Sequence, residues 1–292
     1  MHPLTDARAP GWTWRRLPAF ISACLGYKPS MRIAVLGDLH LISDADPCIE
    51  LRRLRTFFSD GLPAMRRLMT WLNTLHLDAV FSVGDVIDWH SEANIILALE
   101  VLSQLHCPWH MTPGNHDLQF PTPGAPPGSY QLDPPDTFRP QAIARWRRHG
   151  VDLGRRRIGC ADGDVLLVDS ASSRIGRDSM DWIRKQPRRS ILLTHVPLDT
   201  PAIRAHIHER EPHRNLEIYT QSGSPEVFAS CIRGHIAHVV TGHLHGSGTL
   251  VQEGTTFHMI DGSFARGLQP PTVALIEASA DQVAVTAIAA PL

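Results

Sequence analysis

The sequence predicts a layered α/β fold, and three observations support that prediction. From Met31 onward, short apolar runs recur with the length and composition of buried strands, at 32–36, 79–83, 109–112, 191–194 and 237–241. Between these runs lie segments with helical spacing of apolar residues, notably 62–75 and 92–105, which are long enough to cover one face of a sheet. Each run ends in polar residues, often with glycine, so these polar residues are expected at the carboxyl ends of the strands.

The C-terminal part of the chain is predicted to be all strand. Runs at 249–252, 256–260, 273–276 and 283–288 are separated by turn residues, and we expect antiparallel strands that close a second sheet. A further strand is predicted at 165–168. Two stretches, 120–140 and 197–233, do not show a regular pattern, and we expect each to form a loop or a partial cap near the strand ends.

These elements predict one domain over residues 31–292, with loop or cap insertions near 118–160 and 197–235, after an N-terminal extension of residues 1–30. In the extension, Ile21-Ser22-Ala23-Cys24 is similar to a lipoprotein cleavage box. The apolar residues of 12–25 also fit an amphipathic helix, which packs on its own domain more often than on a membrane. Lipid anchoring or peripheral membrane contact through 12–25 is therefore the less favoured alternative.

Composition excludes several classes of function. The net charge of -1 and the absence of a basic stripe argue against nucleic acid as a partner, so a nuclease is not favoured. The five cysteines are widely spaced and form no CxxC pair, which argues against a disulfide framework or a thiolate zinc site. This cysteine usage fits a reducing compartment, and a cytoplasmic location is predicted. No apolar run approaches the roughly 18 residues that a membrane-spanning helix needs.

The polar clusters at the strand ends contain the residue types that a pair of metal ions requires. A dinuclear site needs a shared anionic ligand, neutral imidazoles and an oxygen donor without charge. Asp38 and His40 can reach one metal from a single turn, Asp85 is the natural bridging carboxylate, and Asn115 offers an amide oxygen. Imidazoles come from His195, His243 and His245. Taken singly, each fragment is an ordinary turn or a core histidine, so the prediction depends on the whole set lying at strand ends.

The set resembles the calcineurin-like metallophosphoesterase superfamily, whose motifs are Asp-x-His, Gly-Asp, Gly-Asn-His-Asp/Glu, His and Gly-His-x-His. The resemblance covers roughly Met31 to Ile276, and it implies two mixed β-sheets packed as a sandwich flanked by helices. It also implies that one metal is bound by Asp38, His40, Asp85 and His245, and the other by Asp85, Asn115, His195 and His243. The implied metals are Mn, Fe or Zn. Many relatives continue the second motif with Arg-Gly, whereas this chain has Trp89-His90, which weakens any transfer from the protein Ser/Thr phosphatases.

The implied reaction is hydrolysis of a phosphate ester. Two cations about 3.5–4 Å apart can bind a hydroxide between them at neutral pH, and this hydroxide attacks phosphorus. His116 lies next to a ligand without being one, so it is expected to donate a proton to the leaving group or to hold a phosphate oxygen. Asp117 is expected to orient that imidazole.

Three alternatives remain open at this point. The enzyme could be a phosphodiesterase or pyrophosphatase that acts on a nucleotide or a lipid-linked diphosphate, instead of a monoesterase for a small phosphate ester. The chain could also be a protein-binding module that retained the fold without catalysis, or a peripheral membrane protein that acts through 12–25. Residues that could tune the substrate choice are His90, Arg204, His206, His208 and His213. The sequence sets neither the substrate nor the oligomeric state.

Overall fold

Two mixed β-sheets pack face to face and are flanked by helices, as the sequence resemblance implies. The computed structural model describes residues 30–59, 61–159, 164–263, 270–279 and 283–291. The predicted extension 1–30, with its segment 12–25, lies outside the described residues except for Ser30, so its boundary and its membrane contact stay predictions. Within the described residues, no helix is long and apolar enough to cross a bilayer.

The strands follow the predicted positions closely in the first two thirds of the chain. In chain order they are β1 (Ser30–Leu36), β2 (Ala79–Ser82), β3 (Trp109–Met111), β4 (Arg156–Ile158), β5 (Val165–Leu167), β6 (Ser190–Leu193), β7 (Ile236–Thr241), β8 (Gly248–Gln252), β9 (Thr255–Met259), β10 (Thr272–Ser279) and β11 (Val283–Ala289). Strand β4 was not predicted, because its Arg-Arg-Ile sequence lacks the apolar character of a buried strand and it lies at a sheet edge.

The helices lie between the strands and beyond the strand ends. They are α1 (Ile49–Leu54), α2 (Thr56–Ser59), α3 (Leu62–Thr74), α4 (Glu92–Leu102), α5 (Arg139–Arg148), α6 (Arg177–Arg184), α7 (Pro201–Arg210), α8 (Leu216–Tyr219) and α9 (Ser224–Val227), and α9 continues into a π-helical turn, Phe228–Ile232. Both predicted helices, 62–75 and 92–105, are confirmed as α3 and α4. Helix α4 starts where the Ser91 hydroxyl accepts a hydrogen bond from the Asn94 amide, as an N-cap does.

The first sheet has the order β11-β10-β1-β2-β3, with β1, β2 and β3 parallel and β10 and β11 antiparallel to their neighbours. The second sheet has the order β4-β5-β6-β7-β9-β8, with β5, β6, β7 and β9 parallel and an antiparallel strand at each edge. The parallel strands of each sheet therefore end on one side of that sheet, which is where ligand sites form in such folds.

Strand β1 shows why the central strands are apolar throughout. Ile33 and Val35 point into the sandwich and pack on side chains of the second sheet, whereas Ala34 and Leu36 point outward onto α3 and α4. Both faces of the strand are buried, so alternation between apolar and polar residues disappears. Helix α3 buries one stripe at helical spacing, Met65, Leu68, Met69 and Leu72, against the outer face of the first sheet.

One expectation about the sheets is wrong. The C-terminal strands do not close one antiparallel sheet: β9 pairs in parallel with β7 in the second sheet, whereas β10 and β11 return to the first sheet beside β1. An apolar pattern indicates that a strand is buried but does not specify the strand with which it pairs. The stretch 197–233, expected to form a loop or a partial cap, contains helices: Thr200 caps α7, and Ile203 and Ile207 of this helix are buried. Residues 120–138 are irregular, as expected.

Candidate metal centre

The carboxyl ends of the parallel strands in both sheets meet at one edge of the sandwich. Strand β1 leads to Asp38 and His40, β2 to Asp85, β3 to Asn115, β6 to His195, and β7 to His243 and His245. Hydrogen bonds join the two sheets at this edge: His195 Nδ1 lies 3.0 Å from the Val83 carbonyl oxygen, and the His243 amide donates to Asp38 Oδ1 at 2.8 Å. All seven predicted metal ligands thus come from this edge.

Five of these seven residues have a backbone conformation that residues other than glycine rarely adopt. Positive φ angles occur at Asp38 (56°), His40 (46°), Asp85 (51°), His243 (70°) and His245 (50°). Each costs about 1–3 kcal/mol, and such strain persists where the surrounding structure requires it, most often at functional sites. The tight turns allow Asp38 and His40, and likewise His243 and His245, to reach the same edge from one short segment.

Two glycines permit the close approach of these turns. Gly84 has a φ of +104°, and a Cβ at this position would overlap the backbone of Gly114. A Cβ at Gly242 would overlap the carboxylate of Asp38. The glycines of the Gly-Asp and Gly-His-x-His motifs are therefore required by contact between segments that are distant in the sequence.

Asp38, His40 and His245 form a first group of candidate metal ligands, whose ligand atoms lie within 4.8 Å of one another. His40 Nδ1 pairs with Asp88 Oδ1 at 2.7 Å, so this nitrogen carries the proton and Nε2 keeps its lone pair. Among the described residues, His40 Nε2 and Asp38 Oδ2 are buried without a hydrogen-bond partner. Two buried acceptors that converge without a donor fit a cation, because unpaired buried polar atoms are otherwise costly.

Asn115, His195 and His243 form the second group. His195 Nδ1 pairs with the Val83 carbonyl and His243 Nε2 with the Ile218 carbonyl at 3.2 Å, so in the neutral form of each ring the other nitrogen has a free lone pair. These two nitrogens lie 3.1 Å apart, and Asn115 Oδ1 lies 3.1 Å from His195 Nε2. The Asn115 amide is oriented by its Nδ2, which donates to Gln119 Oε1 at 2.8 Å. Three acceptors at this spacing cannot all be satisfied by one proton, whereas a metal ion satisfies them together.

Asp85 lies between the two groups. Its Oδ2 atom is 3.2 Å from His195 Nε2 and 3.8 Å from His40 Nε2, whereas Oδ1 accepts a hydrogen bond from the His116 amide at 2.9 Å. The carboxylate is almost fully buried and is held at both oxygens. This is the position that a ligand shared by two metal ions would take.

The pKa values of the centre follow from burial of opposite charges. Burial alone would raise the pKa of Asp85, but the charges of His195 and His116 hold it well below its usual range. Burial would lower the pKa of His195, but Asp85 raises it to about 9. Burial raises the pKa of Asp38 to about 7, and burial together with the charge of His195 lowers the pKa of His243 to about 3. The centre thus needs positive charge, which a proton on His195 or a bound cation can supply.

Asp88 supports the first group, although it was not predicted as a site residue. Its carboxylate receives two hydrogen bonds from Arg55, Nε to Oδ2 at 2.8 Å and Nη2 to Oδ1 at 2.7 Å. The Tyr130 hydroxyl donates to the Asp88 carbonyl at 3.0 Å. Burial opposes ionisation of Asp88, but Arg55 and His40 lower its pKa. An ionised Asp88 fixes the His40 ring with Nε2 toward the centre.

His116 lies beside the centre, 4.7 Å from His40 between ring centroids, but the expected orientation of its imidazole by Asp117 is wrong. His116 Nδ1 pairs with the Asp88 carbonyl oxygen at 2.6 Å. The Asp117 carboxylate instead accepts backbone amides from two loops, with Oδ2 bound to the Asp85 and Gly114 amides at 2.8 and 2.9 Å. Its Oδ1 accepts the amides of residues 86 and 87. Adjacency in sequence suggested a pair, but the turn directs the two side chains to different partners.

We expect Asp117→Asn to lower the free energy of unfolding of the metal-free protein by about 2–4 kcal/mol, because an amide NH2 group would face backbone donors. Urea unfolding followed by tryptophan fluorescence measures this difference. An unchanged unfolding curve combined with a large loss of turnover would contradict this structural role and favour the original assignment of Asp117 to His116.

The residues without a motif lie in different places. His90 is buried, pairs through Nδ1 with the Asp117 carbonyl at 2.7 Å, and packs on Phe120. His208 and His213 are exposed, and Arg204 is an exposed partner of Asp199. His206 lines a cavity of about 190 Å³ that adjoins His245 and is also lined by Arg210 and Arg214. Of these residues, His206 is the one that lines this cavity together with His245.

Comparison with known proteins agrees with this geometry. A sequence model of the calcineurin-like phosphoesterase family matches residues 31–247, which is more than half of the 292-residue chain. No match was found among curated proteins.

Two solved structures illustrate the shared fold. A dimetal phosphatase from Danio rerio is 12% identical, with a TM-score of 0.57, and the match covers 88% of this chain and 99% of that one. A purple acid phosphatase from yellow lupin (Lupinus luteus) seeds is 13% identical, with a TM-score of 0.54, over 89% of this chain and 51% of that one. At such low identity, these structures show a common fold and no more. On the family match, the chain belongs to the calcineurin-like phosphoesterase family, that is, to the metal-dependent phosphoester hydrolases.

Proposed function

We propose that this chain hydrolyses a small phosphate ester at a pair of metal ions bound by the seven clustered residues. Asp38, His40, Asp85 and His245 would hold one ion, and Asp85, Asn115, His195 and His243 the other. The observation that supports this most strongly is the position of Asp85 Oδ2, 3.2 Å from His195 Nε2 and 3.8 Å from His40 Nε2. A single carboxylate oxygen between two groups of buried lone pairs is what a bridging ligand requires.

The donor set restricts the choice of metal. It consists of imidazole nitrogens, carboxylate oxygens and one amide oxygen, without a thiolate, which suits Mn, Fe or Zn. When bound, the pair supplies a solvent nucleophile activated at neutral pH and neutralises charge on the phosphoryl oxygens.

In this proposal, His116 is the side chain that donates a proton to the leaving group. His116 Nδ1 donates to the Asp88 carbonyl, so Nε2 is the free ring nitrogen, and the doubly protonated imidazolium would give its Nε2 proton to the oxygen of the leaving group. This Nε2 atom makes no hydrogen bond to the described part of the chain, and it is not one of the buried unpaired polar atoms. His116 is 17% exposed at its side chain, whereas His40 and His195 are fully buried, so among these histidines His116 is the one that a substrate can reach.

The proposal is tested by a screen of the metal-loaded protein. Chain freed of metal with a chelator is loaded with Mn²⁺, Fe²⁺ or Zn²⁺ and offered a phosphate monoester, a phosphodiester, a cyclic nucleotide and a nucleoside diphosphate. We expect hydrolysis of at least one class, loss of that activity with excess chelator, and two metal ions per chain.

The pattern of activity separates the alternatives. Preference for the diester or the diphosphate would identify a phosphodiesterase or pyrophosphatase. Binding of two ions without hydrolysis of any ester would contradict the proposal and favour a non-catalytic protein-binding module.

A further inference from the structure

Helices α7 and α8 contain none of the motifs, but residues in and between these helices contact the turn that carries His243 and His245. Arg214, in the loop between the two helices, donates from Nη1 to the Leu244 carbonyl oxygen at 2.6 Å. The carbonyl of Ile218 in α8 accepts from His243 Nε2. One peptide group of the Gly-His-x-His turn and one of its imidazoles are thus fixed from the same outer segment.

Arg214 is itself held in place. Its Nε atom pairs with Glu211 Oε2 at 2.9 Å, and its guanidinium carbon lies 4.1 Å from the centre of the Tyr219 ring. The side chain is only 13% exposed. A guanidinium fixed by an ion pair and an aromatic ring loses little further conformational entropy when it binds the Leu244 carbonyl.

The turn needs such a partner because of its backbone. His243 and His245 both have positive φ angles, and the Leu244 peptide lies between them. Its carbonyl oxygen accepts the hydrogen bond from Arg214, and this bond favours the strained turn over a relaxed one. The direction of both imidazoles depends on the shape of this turn.

We propose that Arg214 is a positioning residue that keeps His243 and His245 aimed at the metal pair. The inference rests on the proposed function, since it requires both histidines to be metal ligands. The contrary view is that Arg214 only attaches α7 and α8 to the domain, in which case its removal would change stability but not metal binding.

Two substitutions separate these views. Arg214→Met keeps an apolar side chain on the Tyr219 ring but removes every hydrogen-bond donor. Arg214→Lys keeps one donor group, the ammonium. Arg204→Ala is the matched control, because Arg204 lies on α7 and its guanidinium pairs with Asp199 instead of with the turn. Each metal-free protein is titrated with Co²⁺, and the affinity and the visible absorption spectrum of the bound ions are measured alongside thermal unfolding.

We expect Arg214→Met to bind Co²⁺ about 10-fold more weakly than the parent and with an altered spectrum, as is usual when a support of a metal ligand is lost. Arg214→Lys should recover part of the affinity, and Arg204→Ala should match the parent. Parent-like affinity and spectrum in Arg214→Met would overturn the inference, whatever happens to its thermal stability.

If Arg214→Met does not fold, Glu211→Ala takes its place, because it removes the ion pair that aims the guanidinium. A weakened Co²⁺ affinity would then support the inference, and an unchanged affinity would overturn it. If the parent protein binds fewer than two ions, the proposed function fails and the inference falls with it. Equal binding by parent and variant affects only the inference.

Discussion

Asp85→Ala is expected to abolish binding of the metal pair and to lower turnover by at least about 10³-fold. Asp85 Oδ2 lies 3.8 Å from His40 Nε2 in the first group and 3.2 Å from His195 Nε2 in the second, so its loss is expected to affect both ions at once. Metal content after loading and desalting is measured by elemental analysis. We expect two ions per chain in the parent and none in the variant.

Thermal unfolding gives a second measurement of the same loss. Ions that bind only the folded state stabilise it in proportion to their affinity, so loading should raise the melting temperature of the parent but not of Asp85→Ala. Asp46→Asn is a suitable control, because Asp46 is equally buried but accepts hydrogen bonds from the Trp89 indole and the Cys48 amide. If Asp85→Ala retained two ions, Asp85 could not be the shared ligand.

The sequence predicted most of the fold, and the exceptions are the pairing of the C-terminal strands and helix α7. Strands β1, β2, β3, β6 and β7 were predicted because burial on both faces produces continuous apolar runs. The same pattern could not tell that β10 pairs with β1, about 240 residues earlier in the chain, since pairing depends on chain direction and packing. Helix α7 was not predicted because it buries only Ile203 and Ile207, which leaves a weak helical pattern in the sequence.

The candidate site also contains residues that the sequence predicted and residues that it did not. The seven candidate metal ligands could be predicted because each follows a strand end, and neighbouring parallel strands bring their ends together. Supporting residues could not be found so easily. Arg55 and Arg214 come from segments without a motif, and each reaches the centre through a contact between distant parts of the chain. Asp88 had a sequence cue, as it follows Asp85 within the same loop, but its partner His40 could be identified only from the structure.

His116→Ala is expected to keep both metal ions and to lower turnover by roughly 10²- to 10⁴-fold, the range for loss of a general acid. The imidazole of His116 is not needed to complete either group of ligands, and the backbone amide that holds Asp85 is retained in the variant. His116→Asn can preserve a hydrogen bond to the Asp88 carbonyl but has no counterpart of Nε2, so it should lose nearly as much activity. Metal content close to that of the parent in both variants would separate this role from that of a ligand.

The leaving group provides the sharper test of what His116 does. An alkoxide is a poor leaving group without a proton, whereas nitrophenolate needs little protonation, so a proton donor matters far more for an alkyl ester than for a nitrophenyl ester. We therefore expect the ratio of parent to His116→Ala turnover to be much larger with the alkyl ester. Equal ratios with the two esters would contradict proton donation and indicate that His116 binds a phosphate oxygen, because that contact does not depend on the leaving group.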